Sequence, residues 1–176
     1  MQKHAEKNLF LLALTAMFAA LVTLTTAYLF HIPIGLNGGY IHLGDAFIYL
    51  AASFLPWPYA MAAAAIGASL ADLLTGAAVY ALPTLIIKAL MVLPFTCKGV
   101  KVLGRRNIAA IFISGLLCTG GYILVDGFFF GTWAVTFAAI WPGLIQSGGG
   151  GLLYFLLGVV LDKADMKQKL GRHVQG

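Results

Sequence analysis

"LFLLALTAMFAALVTLTTAYLF", residues 9–30, decides the class of fold. It runs for 22 residues without a charge. About 20 apolar residues in a helix cross a hydrocarbon core of roughly 30 Å. Lys3 and Lys7 precede the run and give it the outline of a signal peptide. It is too long for one, and no Ala-x-Ala cleavage site follows at the right place. The run therefore reads as a first transmembrane helix.

Working outward, the rest of the chain repeats that composition. Of 176 residues, 61% are hydrophobic and 10% charged. The mean hydropathy is +0.92. Apolar runs recur along the whole length, and no polar stretch is long enough to bury a core of its own. The reading is an all-α membrane protein, a compact bundle of six transmembrane helices forming one domain over residues 1–176. The predicted helices cover about 9–30, 44–55, 58–75, 80–97, 108–130 and 136–161. The "PWP" at 56–58 separates the second from the third. The charged tail is expected to fray.

Charge distribution orients the bundle. Ten of the eleven Lys and Arg residues fall at the N-terminus (Lys3, Lys7), in residues 98–107 (Lys98, Lys101, Arg105, Arg106) or in the tail (Lys163, Lys167, Lys169, Arg172). The connections at 31–43, 76–79 and 131–135 carry none. Under the positive-inside rule both termini are cytoplasmic, in a multi-pass protein of the cell membrane. The same distribution argues against a nucleic-acid patch. The second helix is short, near 20 Å at about 1.5 Å per residue, so part of loop 31–43 must dip into the protein.

In this topology five strongly polar residues fall at one depth, in the outer half of the membrane. They are Asp45, Asp72, Lys88, Asp126 and Gln146, each on a different predicted helix. The Gly-rich loop 31–43, with His31, Asn37, Tyr40 and His42, lies over the same side. Charges in lipid are costly and turn inward to find partners. Asp72 with Lys88 is a plausible pair. The set reads as an outward-opening polar recess under a gating loop, suited to a small polar solute. Plainer roles compete with it. Asp45 could cap the second helix, Asp72–Lys88 could be a structural bridge, Asp126 could be wet at the interface, and the histidines could be ordinary loop residues. Tyr49, Tyr80, Tyr122, Phe129, Trp133 and Trp141 join Tyr40 as candidate aromatics around a ligand.

Small residues form a second pattern. Ala13, Ala16, Ala20, Thr23 and Ala27 form a stripe on the first helix, and Ala63, Gly67 and Ala71 one on the third. Such stripes let helices approach closely, inside the chain or against another protein. "SGGGG" at 147–151 implies either a close crossing or a local unwinding. Cys97 and Cys118 read as small packing residues without metal-ligand spacing. No metal set, no cofactor motif and no Ser/His or Cys/His catalytic pairing is apparent.

The strings "GGYIHLGDAFIYLAA", "IGASLADLLTG", "LPTLIIKALM", "GGYILVDGFFFG" and "IWPGLIQSGGGGLLY" together resemble the substrate-binding S components of energy-coupling factor (ECF) transporters. The branch they resemble is the one related to riboflavin, hydroxymethylpyrimidine and pyridoxine uptake. The resemblance covers nearly the whole chain. It implies six helices and capture of a vitamin-like ligand. It also implies association with a transmembrane coupling subunit and two cytoplasmic ATPases, within an ABC importer. An Ala-xxx-Ala face on the first helix meets the coupling subunit in that family, and Ala16 and Ala20 match it. Residues 31–43 match its gating loop. No ATPase motif of the type G-x-x-x-x-G-K-[ST] is present in this chain.

Two positions depart from the family pattern. Asp126 stands where relatives carry Glu, and Leu144 where they carry Asn, which is expected to alter the hydrogen bonds offered to the ligand. The implied substrate-binding set is Asn37, Tyr40, His42, Asp45, Asp72, Lys88, Tyr122, Asp126 and Gln146. It suits a flat nitrogen heterocycle such as a pyrimidine, a pyridine or a deazapurine base. An autonomous secondary transporter or channel is the alternative, although the polar residues stop in the outer half. An intramembrane enzyme is a third possibility, weakened by the missing catalytic pairings.

Overall fold

A computed structural model describes residues 2–29, 31–33, 40–131, 133 and 140–175. Seven α-helices are present among them: α1 (Gln2–Ala27), α2 (Asp45–Phe54), α3 (Trp57–Leu74), α4 (Ala81–Leu90), α5 (Arg105–Phe130), α6 (Ile140–Lys163) and α7 (Met166–Gln175). A two-residue antiparallel ladder, β1 (Ile32–Pro33) with β2 (Tyr40–Ile41), closes the α1–α2 connection. Its register pairs Ile32 with Ile41 and Pro33 with Tyr40. The fold is otherwise all helical. Four stretches are long and apolar enough to cross a membrane: His4–Ala27, Trp57–Leu74, Arg105–Phe129 and Ile140–Lys163. Asp45–Phe54 and Ala78–Leu90 are shorter apolar helices.

The helices pack in a closed circuit, α1 on α3, α3 on α4, α4 on α5, α5 on α6, α6 on α2 and α2 back on α1. α2 also touches α3. Eight of its ten residues are buried. A helix enclosed by protein has no need to match the bilayer, which accounts for its length. The chain feeding it lies inside as well. His42 is buried, and a Cβ at Gly44 would overlap the Thr26 hydroxyl of α1.

Close crossings explain where the small residues go. On α3, Ala63, Gly67 and Ala71 are buried. A Cβ on Gly67 would stand 2.6 Å from the Ala19 carbonyl of α1. Thr23 Oγ1 donates to the Gly67 carbonyl at 2.8 Å. The α1 stripe divides in two: Thr23 and Ala27 face the bundle, whereas Ala13, Ala16 and Ala20 are exposed. α6 is continuous through "SGGGG" without unwinding, and close packing accounts for Gly149, Gly150 and Gly151. A Cβ on Gly150 would lie 3.1 Å from Asp45 Cβ, and one on Gly151 2.7 Å from Ile111.

Several boundaries differ from the sequence reading. α1 runs from Gln2, ahead of the apolar stretch that starts at Leu9. α4 ends at Leu90, well short of residue 97, and its chain turns through residues 91–94. Pro94 lacks an N–H and disfavours helix in the residue before it. α3 ends in a Schellman turn: Gly76 has φ +83°, and Ala77 N–H donates to Asp72 O at 2.8 Å. The tail is helical over Met166–Gln175. Asp165, at φ 52°, breaks the chain between α6 and α7, and Lys167 Nζ fastens α7 by donating to Lys101 O at 3.2 Å. Of the sixth predicted helix, residues 136–139 lie outside the described residues.

Candidate functional site

Three residues of α4 and its leading 3₁₀ turn, Tyr80, Thr84 and Lys88, lie four apart, as do Cys118, Tyr122 and Asp126 of α5. Side chains four apart share a helix face. The two faces meet as an antiparallel polar ladder. Tyr80 donates to Asp126 Oδ1 at 2.8 Å. The hydroxyls of Thr84 and Tyr122 are 2.8 Å apart. Lys88 donates to Cys118 Sγ at 3.3 Å. Gly121 makes this possible: a Cβ there would fall 2.9 Å from the Ile87 side chain of α4.

The Lys88 end of the ladder is completed from α2 and α6. Lys88 Nζ pairs with Asp45 Oδ1 at 2.6 Å, with side chains 1% and 0% exposed. Gln146 Nε2 donates to the other carboxylate oxygen at 3.1 Å. The ammonium also lies 5.7 Å from the Tyr122 ring centroid, in cation–π range. A buried carboxylate without a cation would be severely destabilising, so Asp45 requires this arrangement. The pairing corrects the expectation of Asp72 with Lys88. α2, the buried link of the circuit between α6 and α1, delivers Asp45 to Lys88. Asp72 is buried instead within electrostatic range of the Tyr80 and Tyr122 phenols. Asp45 is also no N-cap. It is the first residue of α2, Gly44 holds the cap position without a side-chain bond, and the carboxylate is engaged by Lys88 and Gln146.

His42 sits at the mouth of α2. Gly44 N–H donates to its Nδ1 at 3.0 Å, which fixes that nitrogen as an acceptor. Burial pushes the imidazole down to about 4, against the pull of the Asp45 carboxylate. The ring is therefore neutral near neutral pH. His31 Nδ1 lies 3.0 Å from Thr26 O and anchors the start of the loop. Asn37 and the side chain of Tyr40 lie outside the described residues.

The structure brings together His42, Asp45, Lys88 and Gln146, and by a second set of contacts Tyr122 and Asp126. It removes Phe129, Trp141 and Trp133 from the expected recess. Phe129 and Trp141 are 74% and 73% exposed, on the outer surface of the bundle. Trp133 packs over Gly127 and edge-on to Phe128. Tyr49 is fully buried, stacked on Phe95 and edge-on to Tyr154. Leu144 is exposed, so the amide missing there is not missing from the ladder. Thr84 and Cys118 were not singled out as site residues from sequence. The shared four-residue spacing of 80, 84, 88 and of 118, 122, 126 was the signal that would have found them. Among the described residues no group of three or more His, Cys, Asp or Glu is placed to hold a metal.

Long apolar helices around an internal polar ladder define a multi-pass membrane protein with a buried polar site. The family model of the ECF-type riboflavin transporter, S component, matches residues 7–163, and the chain belongs to that family. Membership makes it a transporter S component, a substrate-binding subunit for vitamin uptake, and not a member of an enzyme family. No curated protein matches the chain.

Proposed function

We propose that this chain captures a vitamin or related nitrogen heterocycle, pyrimidine-, pyridine- or deazapurine-like, from outside the cell. It hands the ligand to an ECF-type ABC importer. In this reading the four long helices and the two shorter ones make six crossings of the cell membrane. Both termini and residues 98–107 lie on the cytoplasmic side. The ligand site is drawn from Asn37, Tyr40, His42, Asp45, Asp72, Lys88, Tyr122, Asp126 and Gln146. The observation that carries the reading is the α4–α5 ladder, joined at Lys88 by Asp45 and Gln146 from two further helices. Polar groups enclosed by apolar helices, with aromatic rings among them, are what a small heterocycle needs.

Ala16 and Ala20 form the docking face for the transmembrane coupling subunit, which carries two cytoplasmic ATPases. Both alanines are exposed on α1. Tryptophan at both positions is expected to abolish uptake in cells that supply the coupling module. Ligand binding by the purified variant should stay at the parent level. Normal uptake by that variant would remove the docking assignment. An autonomous transporter is the second reading. Against it stands the hydrogen-bonded closure at the far end of α2, built from Ser53, Asn107 and Tyr154. Ligand uptake into liposomes holding this chain alone would reinstate it.

A further inference from the structure

We propose that the site selects its ligand by charge: it takes a heterocycle bearing amino or ring N–H donors, neutral or cationic, which Asp126 receives, and it refuses anions. The inference rests on the reading of the chain as a solute-binding subunit and adds the chemistry of the solute.

The argument begins with Lys88. An ammonium has three N–H donors and no acceptor. One is donated to Asp45 at 2.6 Å, another to Cys118 at 3.3 Å, and the Tyr122 ring lies 5.7 Å from the nitrogen. Asp45 is 0% exposed, and its second oxygen accepts from Gln146. The pair is thus neutral as a unit, with its donors already directed. An anionic ligand would have to displace a buried carboxylate to reach the cation. No other cation is within reach by sequence. The remaining ten Lys and Arg lie at the N-terminus, in residues 98–106 or beyond residue 162. Arg106, on the same helix as Asp126, is about 30 Å from it along the axis.

Negative charge, by contrast, is left over. Among the described residues Asp126 meets the Tyr80 phenol and no cation. A carboxylate facing a phenol retains acceptor capacity, and a ligand N–H or protonated ring nitrogen is the group that uses it. An independent observation indicates an incomplete site. The Tyr49 hydroxyl is fully buried and has no hydrogen-bond partner among the described residues. It lies in electrostatic range of Asp45, Cys118 and Lys88. Buried hydroxyls are nearly always satisfied, so this one calls for an acceptor that the folded chain does not supply.

Three pyrimidines of similar size test the charge rule on the purified full chain in detergent: 2,4-diaminopyrimidine, which protonates readily, uracil, which is neutral, and orotate, which is anionic. Calorimetry is expected to rank diaminopyrimidine on the order of tenfold tighter than uracil, and orotate on the order of tenfold weaker. Asp126→Asn should abolish the first preference, bringing diaminopyrimidine and uracil to comparable affinity. Asp126→Glu should restore it. Orotate binding as tightly as uracil, or a preference that survives Asp126→Asn, overturns the inference. Native mass spectrometry of the protein purified from cells separates this failure from a deeper one. A co-purified molecule carrying phosphate or carboxylate overturns the charge rule and leaves the solute-binding reading standing. An uncharged or cationic amine-bearing molecule supports both. If no probe binds and nothing co-purifies, both fall.

Discussion

The two ends of α2 are built from the same kinds of residue and treated in opposite ways. At its C-terminal end, Ser53 donates to Tyr49 O, meets Tyr154 at 2.9 Å and receives from Asn107 at 3.2 Å. Tyr154 donates to Val102 O, and Asn107 also bonds Thr96 and Val102. Asp162 accepts from the N–H groups of Val102 and Leu103 at 2.6 and 3.0 Å. This network fastens residues 96–107 to α2 and α6. At the N-terminal end, Asp45 and Lys88 satisfy each other, yet the Tyr49 and Ser147 hydroxyls are buried without partners among the described residues. A fully bonded network specifies one arrangement; a partly bonded one retains a cost that a ligand can relieve. The difference teaches which end is scaffold and which is site.

The largest effect should come from breaking the charged core of the open end. Lys88→Met leaves Asp45 buried without its cation, a change that costs about 3–5 kcal/mol in comparable sites. Thermal unfolding in detergent should show a large drop. Asp45→Asn added to Lys88→Met should recover most of it, because the amide keeps the Gln146 contact and carries no charge. An unfolding temperature like that of the parent for the single variant would mean that the pair does not hold the site together.

Two tyrosines sharpen the comparison, because the same deletion is expected to have opposite signs. Tyr154→Phe removes hydrogen bonds to Ser53 and Val102 at the closed end and should cost about 1–2 kcal/mol. Tyr49→Phe removes a hydroxyl that has no partner, so the unliganded protein should be unchanged or more stable by up to about 1 kcal/mol. The Tyr49 variant is also expected to bind ligand more weakly, since the hydroxyl awaits an acceptor. Calorimetric unfolding with and without ligand separates the two contributions. Equal destabilisation of both variants would erase the distinction between the ends.

Much of this was legible in the sequence because it rests on composition and helical period. The apolar runs located the helices, and the burial cost of charge forecast that Asp45, Lys88 and Gln146 would turn inward. Partner choice was not legible. Asp72 and Asp45 are both aspartates on neighbouring predicted helices, and only the packing of the buried α2 decides that Lys88 meets Asp45. The closed end was missed for a related reason. Asn107 reads as the last residue of a basic loop, yet it is the hub that ties that loop down. The departure at Leu144 was expected to alter the hydrogen bonds offered to the ligand, and its exposure on α6 shows that position along a helix does not fix the face.

The smallest effect, and the finest test of the comparison, lies within the glycine run of α6. Gly148 faces outward, and a Cβ there would meet nothing within 4 Å. Gly150, two residues on, is buried, and its Cβ would lie 3.1 Å from Asp45 Cβ and 3.4 Å from Ala46 N. Glycine in a helix is disfavoured against alanine by about 1 kcal/mol in water. Gly148→Ala should therefore raise stability by a fraction of that, with ligand affinity unchanged. Gly150→Ala gains the same helix propensity, but it presses on the residue that anchors Lys88. α6 or α2 must shift by a few tenths of an ångström, and the Gln146–Asp45 contact opens. Its net stability should fall below that of Gly148→Ala, and its ligand affinity should drop. If the two alanine variants behave alike in unfolding and in binding, α6 does not crowd the start of α2, and the tight register between site and scaffold is lost with it.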